Sequence, residues 1–312
     1  MSGSIEAPMT RYLLDRALQS VVVLLGVSAI VFFALHLTGD PAALMLPPDA
    51  SREEIARFRT AMGFDAPLLL QYLRYLSAVL QGDLGTSLRF QQPVLGLVLE
   101  RLPATALLAV AALAWSTLAG FLLGIVGAIR RDGWVDLLVR LVALAGQAVP
   151  VFWLGLLLII LFSLRLRWLP TGGYGELRHL VLPAVSLGAY YMSAVTRLVR
   201  ASLIETLDQD YIRTARAKGL SAWAVVTRHA LRNAMIPVLT VQGMYFAALL
   251  GGALVTEIIF AWPGIGRLAV QAIQNRDFPL VQAVVLFAAF TFVAMNILVD
   301  LAYAALNPRI RL

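Results

Sequence analysis

The chain has 312 residues, 60% hydrophobic and 14% charged, with a formal net charge of +7 and a mean hydropathy of +0.81. Soluble domains average about 45–50% apolar and about 25% charged residues, so a soluble globule of this composition would have to expose large apolar patches. With no cysteine, disulfides, thiolate metal sites and a cysteine nucleophile are excluded together.

A bilayer core of about 30 Å takes about 20 apolar residues of helix, and six segments qualify as spans. The first, Leu18–Leu37, follows Arg11 and Arg16. It exceeds the apolar stretch of a signal peptide, and Thr38-Gly39-Asp40-Pro41 offers no small-x-small cleavage site, so it reads as an uncleaved span. Residues 39–103 are expected outside as a small, mostly helical periplasmic segment. Within it, Ser51-Arg52-Glu53-Glu54 carries the signature of a capped helix running to Met62. Pro67 opens a second helix through about Val79, with Leu69, Tyr72, Leu73 and Leu76 on one face.

The other spans are expected at 104–129, 141–162, 180–196, 234–260 and 279–306. Pro150 lies inside the third, where neighbouring helices of a membrane bundle can satisfy the freed carbonyl. Orientation follows from arginine and lysine in short loops. Arg11 and Arg16, Arg130 and Arg131, the set from Arg197 to Arg232, and Arg309 with Arg311 all fall inside if the N-terminus is inside. Residues 1–38 are then a cytoplasmic start and first span, 104–306 a transmembrane domain with a cytoplasmic connection at 197–233, and 307–312 a cytoplasmic tail. The fold class is all-α, a polytopic membrane protein of six transmembrane helices.

Chemistry within the chain is thin. A P-loop needs Gly-Lys followed by Ser or Thr, whereas Lys218, the only lysine, precedes Gly219 and Leu220. His36, His179 and His229 are far apart and form no helical pair for zinc, and no serine sits in a Gly-x-Ser-x-Gly elbow. The basic residues show no aromatic-interleaved surface for nucleic acid. The chain is expected to be no enzyme and to hold no metal or cofactor of its own, so energy for any uphill transport must come from elsewhere.

The connection between spans four and five has the most local information. Asp208 and Asp210 precede Tyr211, as suits a helix start. Gly219 supplies a left-handed stop after Tyr211–Lys218, and Ser221 can cap a second helix from Ala222 to about Arg232. The small residues Ala215 and Ala217 suit a protein socket; a basic helix pair lying on anionic headgroups is the other reading of the same spacing.

The run Asp210-Tyr211-Ile212-Arg213-Thr214-Ala215-Arg216-Ala217-Lys218-Gly219-Leu220, followed by His229-Ala230-Leu231-Arg232-Asn233-Ala234 and Ile236-Pro237, resembles the cytoplasmic "EAA" loop of bacterial ABC importer permeases. It is most similar to the first permease of dipeptide, oligopeptide and nickel systems. Gly39-Asp40-Pro41, Gly82-Asp83-Leu84-Gly85-Thr86-Ser87, Glu100-Arg101-Leu102-Pro103-Ala104-Thr105, Phe260-Ala261-Trp262-Pro263-Gly264-Ile265-Gly266 and the tail Asn307-Pro308-Arg309-Ile310-Arg311 extend the likeness nearly end to end. Aligned on Gly219, Arg213-Thr214-Ala215 replaces the general Glu-Ala-Ala, so the glutamate is missing.

The resemblance implies a type I importer permease in the bacterial inner membrane, forming half of a pathway for dipeptides or oligopeptides. Nickel, glutathione or another small solute are the alternatives. The implied partners are a homologous second permease, two ATPase subunits that carry ATP and Mg, and a periplasmic substrate-binding protein. It implies that Asp210, Tyr211, Arg213, Ala215, Ala217, Lys218 and Gly219 couple to an ATPase, and that Arg130, Arg131 and Trp134 make a second contact.

Ionisable and polar groups in spans are functional candidates by default. Glu257 and Gln242 are the candidates for pathway or gate, Asp300 is a third ionisable group, and Gln147, Tyr190, Tyr191 and Asn296 have the chemistry to face a polar route. Glu257, near a span end, is equally suited to snorkel or to pair with a loop arginine. Trp262-Pro263-Gly264 is expected as a turn with the indole at headgroup depth. The rival class is an ion-coupled secondary transporter, which calls for midplane acids and broken helices in paired halves; neither is evident in the sequence.

Overall fold

The computed structural model describes residues 6–37, 40–46, 49–221 and 224–306. The tail from residue 307, the start of the helix expected at Ala222 and the side chain of Asp300 lie outside the described part. Among the described residues the chain is helical, with one isolated bridge between Thr86 and Pro93. In order, the helices are α1 (Glu6–Leu37), α2 (Pro41–Met45), α3 (Arg52–Ala61), α4 (Leu68–Leu80), α5 (Val94–Ile129), α6 (Trp134–Ala148) and α7 (Val151–Leu158), continued by the π-helical turn π1 (Ile159–Arg165). Then come α8 (Leu177–Leu207), α9 (Asp210–Ala217), π2 (Val225–Ala230), α10 (Leu231–Ala234), α11 (Ile236–Gly252), α12 (Leu254–Ile259), α13 (Ile265–Gln274) and α14 (Phe278–Leu306).

All six segments expected as spans are helical, but they differ in kind. Asp15–Leu37, Val94–Ile129 and Phe278–Val299 are each long and apolar enough to cross a membrane. The third expected span is not one rod: α6 and the α7–π1 helix meet at an angle of 107°. Pro150 is the reason. Its ring pushes the preceding residue out of helical geometry, and Val149 is extended at φ −78°, ψ 123°. Pro103 and Pro183, by contrast, are absorbed inside α5 and α8. The fourth is longer than expected, since α8 continues through Arg197 and Arg200 to Leu207 and leaves a correspondingly shorter connection. The fifth is interrupted at Ala253, between α11 and α12.

The chain forms two compact units, residues 1–104 with 264–312, and residues 105–263. In the first, Val94, Leu97 and Val98 pack with Ile265, Leu268, Leu280, Ala283 and Val284 in one buried cluster. Buried Asp277 accepts from the Ser87 hydroxyl and from the backbone N–H groups of Arg89 and Leu280, the last at 3.3 Å. It thereby satisfies donors at the start of α14. Helix α3 begins with the expected capping box: Ser51 Oγ accepts from Glu54 N, and the Glu54 carboxylate accepts from Ser51 N. Helix α4 starts after Pro67 as expected. Of its predicted face, Tyr72 and Leu76 turn inward, while Leu69 and Leu73 are 65% and 52% exposed.

In the second unit α8 is the central helix. Thirteen of its residues are buried, including Ser186, Gly188, Ala189, Ser193 and Thr196. Gly120 and Gly124 on α5 form a Gly-x-x-x-Gly pair against it. A methyl group at Gly124 would lie 2.8 Å from the Thr196 carbonyl oxygen and 2.7 Å from Val199 Cβ. Helices in lipid gain nothing by excluding water from each other, so their association rests on such close backbone approach. Further along, Gly173 N–H donates to the Phe260 carbonyl at 2.8 Å, and Tyr174 meets Trp262 edge-on at 4.9 Å. Trp262 is 1% exposed, so its indole packs inside this unit.

Candidate functional site

The connection after α8 is a short helical knob. The chain extends at Gln209 and re-enters helix at Asp210, whose carboxylate lies 3.4 Å from Arg213 Nη1. Gly219 ends α9 with φ +78°. There the Gly219 N–H donates to Arg216 O at 3.0 Å and the Leu220 N–H to Ala215 O at 3.4 Å, the paired bonds of a glycine-closed helix end. Ser221 Oγ accepts from Ala224 N at 3.3 Å, in the manner of a cap.

The knob is seated on the body of its unit. Ile212 and Ala215 are buried with Ala128 of α5, Leu203 of α8, Val225, Val226 and Ala230 of π2, and Ala234. Asp210, Tyr211, Arg213, Ala217, Lys218 and Gly219 are exposed. Ala215 and Ala217 therefore do not form the single small-residue face expected of them. Two residues apart on a helix they point in nearly opposite directions, so Ala215 seats the knob and Ala217 belongs to its outer surface.

The second predicted contact adjoins the first. Helix α5 ends at Ile129, the chain turns through Asp132 at φ +64°, and α6 starts at Trp134, which is 74% exposed. Arg130 is also exposed. Arg131 lies 3.5 Å from Asp132 and 3.4 Å from Asp208, linking this turn to the end of α8. Both partners are more than half exposed, so the link contributes roughly 0–1 kcal/mol.

A much stronger tie lies behind it. The Asp136 carboxylate is fully buried and receives both Nε and Nη2 of Arg200, at 2.6 and 2.8 Å, together with the Asp132 N–H at 3.2 Å. Arg140 lies 3.6 Å away. Gly127 leaves room for the pair: a methyl there would sit 3.3 Å from Arg200 Cδ and 3.4 Å from Asp136 Oδ1. This clamp between α6 and α8 is not evident from the sequence, where 64 positions separate its members. The available signal was a carboxylate in the first turn of an apolar helix, with an arginine beyond the expected end of the fourth span.

The pathway candidates separate into buried and exposed groups. Glu257 does not snorkel: it is fully buried, and Thr105 Oγ1 donates to its Oε1 at 2.7 Å. Gln242 is half-buried; its Oε1 accepts from Thr117 Oγ1 at 3.0 Å, while its amide nitrogen is buried without a hydrogen-bond partner. Tyr190, Arg197, Ala201 and Glu205 are exposed at intervals of seven and four along α8, placing them on one stripe of the helix. Arg197 Nη1 donates to Gln147 Oε1, and Tyr190, Tyr191 and Tyr245 pack edge to face beside it. Asn296, on α14, is spent on the Phe292 carbonyl at 2.8 Å. Among the described residues, no three His, Asp or Glu side chains converge as a metal site would require.

Comparison with known proteins adds to this geometry. Residues 120–312 match the family described as binding-protein-dependent transport system inner membrane component, and residues 9–109 match the N-terminal region described for such membrane components. The chain is 44% identical over 304 residues to the glutathione transport system permease protein GsiC of Salmonella paratyphi A, covering 97% of this chain and 99% of that one. It is 43% identical, over the same shares, to GsiC of Escherichia coli O6:H1. Among solved structures, it resembles a chain of an amino acid ABC transporter crystallised with histidines, with a TM-score of 0.53, 16% identity, and coverage of 66% of this chain and 92% of that one. A chain of the inward-facing methionine ABC transporter MetNI gives a TM-score of 0.52 at 16% identity, covering 66% and 96%. At that identity the likeness concerns the fold alone, a type I importer permease.

Proposed function

Because the chain belongs to the binding-protein-dependent transport system inner membrane components, as a permease subunit of a bacterial ABC importer of the dipeptide, oligopeptide and nickel group, we propose that it forms half of an import pathway for small peptides, glutathione foremost. The observation that carries the substrate reading is the 44% identity to a glutathione permease along nearly the full length of both chains. Dipeptides and longer peptides, then nickel, are the alternatives within the family. Membership implies a second permease, ATPase subunits and a substrate-binding protein. The assembly we propose has one homologous permease partner, two ATPases holding ATP and Mg, and a periplasmic binding protein, with both termini of this chain cytoplasmic.

The route for energy in this reading runs through the seated knob. Closure of the ATPase dimer pushes on the exposed side of α9, which includes Arg213, Ala217 and Lys218. The buried contacts of Ile212 and Ala215 with Leu203 pass the displacement to α8. The Asp136–Arg200 pair makes the Arg130–Trp134 turn move with it. Since α8 carries the exposed stripe of Tyr190 and Arg197, its displacement changes the lining of a hydrated path. Arg197 offers a guanidinium to a peptide carboxylate. Packed interiors respond to such a push as rigid bodies and not by continuous deformation.

The test is uptake in proteoliposomes containing the full transporter and its binding protein, with labelled glutathione and a labelled dipeptide supplied in competition. ATP-dependent accumulation of glutathione is expected, and exclusive accumulation of the dipeptide or of nickel would reassign the substrate. Gly219→Pro is expected to abolish uptake while the chain still inserts. Wild-type uptake by that variant would remove the coupling role of the knob, whichever solute is carried.

A further inference from the structure

We propose that the groove enclosed by α1, α4 and α14 holds an acyl chain of a membrane lipid, and that α4 lies within the bilayer alongside α1. The groove is a cavity of about 350 Å³ in the first unit, walled by Val21 and Leu25 of α1, Val79 and Leu80 of α4, and Leu286 and Phe290 of α14. Its single side-chain hydroxyl, Ser28 Oγ, donates to Leu25 O at 2.9 Å and lies 2.9 Å from Tyr72 Oη. Tyr72 Oη in turn reaches Leu25 O at 3.2 Å.

Depth along α1 locates the groove. At one end of α4, Gln71 Oε1 lies 3.3 Å from His36 Nε2; at the other, Leu80 shares the groove with Val21. From Gln71 to Leu80, α4 itself runs about 13 Å at about 1.5 Å per residue. The apolar span of α1 is Asp15–Leu37, and a hydrocarbon core is about 30 Å thick. Helix α4 therefore descends antiparallel to α1 to about the middle of the membrane.

Its surface agrees with that depth. Leu69 and Leu73 lie outside the groove and are 65% and 52% exposed, a pair suited to hydrocarbon and costly in water. The one charged side chain of the helix, Arg74, brings Nη1 to 3.0 Å from the position a Gly63 methyl would occupy. It thus reaches back toward the turn that precedes α4, as long basic side chains do when their stems lie in lipid.

The occupant follows by elimination among the species available at that depth. A buried water needs two to four polar partners, and the one side-chain hydroxyl among the lining residues, that of Ser28, already engages Leu25 O and Tyr72 Oη. A void is unfavourable because its lining loses dispersion contacts, and Phe290, 56% exposed, marks a side opening. Lipid tails are as apolar as leucine, so a chain enters for shape and not for any gain in hydrophobicity.

The test uses the full-length chain in membranes doped with phosphatidylethanolamine bearing a mid-chain diazirine. After irradiation, detergent extraction and washing, peptide mass spectrometry is expected to find adducts concentrated on Val79, Leu80 and Leu286–Phe290, with none on α3. Val79→Trp is expected to lower those adducts several-fold; Leu286→Trp narrows the groove from the opposite wall and serves if the first variant does not accumulate. The proposal is overturned if groove adducts are no more frequent than those on α3, or if neither variant lowers them. It is also overturned if a photo-crosslinker at Leu80 captures another protein subunit in place of lipid.

Discussion

Helices α1 and α8 are each 31 or 32 residues long and obey opposite rules. Along Asp15–Leu37 only Ser28 and Phe32 are buried, and most of the exposed residues are valine, leucine, isoleucine and phenylalanine. Along α8 thirteen residues are buried, many of them Ser, Ala, Gly or Thr, and the exposed stripe carries Tyr190, Arg197 and Glu205. In a water-soluble protein apolarity marks the core. Here it marks contact with lipid, because hydrocarbon outside is as apolar as any interior, and the core is marked by small residues and by polar groups that are already satisfied. Ser193 and Thr196 illustrate this: each hydroxyl donates to the carbonyl one turn back, at 2.9 and 2.8 Å.

The contrast is broken most severely where α5 touches α8. Gly124→Leu places a branched side chain where even a methyl would overlap the Thr196 carbonyl. Overpacking typically costs about 1–3 kcal/mol, occasionally more, and here the obstruction is backbone. We expect loss of accumulated permease, measured by abundance in membranes and by size-exclusion profile. Leu122→Ala, on the lipid-facing side of the same helix, should stay within about 0.5 kcal/mol. Equal effects of the two would dissolve the distinction between the regions.

Next in size is the clamp. Arg200→Met leaves the Asp136 carboxylate buried and short of its main partner, a loss of about 3 kcal/mol, the lower end for a broken buried pair because Arg200 retains 22% exposure. The double variant Asp136→Leu/Arg200→Met should recover most of that in a thermal melt, since apolar replacements of a buried pair are often neutral. Recovery of stability without recovery of transport would assign the pair to coupling.

Gly219→Ala comes third. Nothing lies within 4 Å of the added methyl, so its cost is the left-handed backbone alone, about 1–2 kcal/mol. Hydrogen exchange at the Gly219 and Leu220 amides should rise, and Gly219→Asn, which tolerates that conformation better, should lie between the two.

What the sequence disclosed divides along the same line. The lipid-facing spans, the Ser51 cap, the Gly219 stop and the family motifs are local signals, legible because spacing alone produces them. Charge content made α8 look short: its apolar run ends near Thr196, whereas the helix continues because Arg200 finds Asp136. Tertiary contacts also account for the burial of Trp262 against Tyr174 and of Glu257 against Thr105, and for the division of Ala215 from Ala217. Gly-x-x-x-Gly at 120–124 was visible as letters, but only the facing Val195 and Val199 reveal what it packs against.

The smallest effect is expected at α3, whose exposed, charged helix returns to the rules that hold in water. Glu54 accepts from the Ser51 N–H and from the Ser51 hydroxyl, each at 2.8 Å. These bonds, the backbone one first, hold its carboxyl below the ordinary glutamate value of 4.5. A depressed folded pKa means that the stabilisation is fully present above that ordinary value and is lost as pH falls through the lower folded one. Amide exchange in the first turn of α3, corrected for its intrinsic pH dependence, should therefore lose protection over that acid interval. Ser51→Ala should start from the lower protection and show a much weaker acid transition. In the same experiment the middle of α8 around Met192 and Val195, packed against Gly120 with no carboxylate in the contact, should hold its protection unchanged; parallel loss in both helices would mean that acid acts on the whole fold and not on the cap.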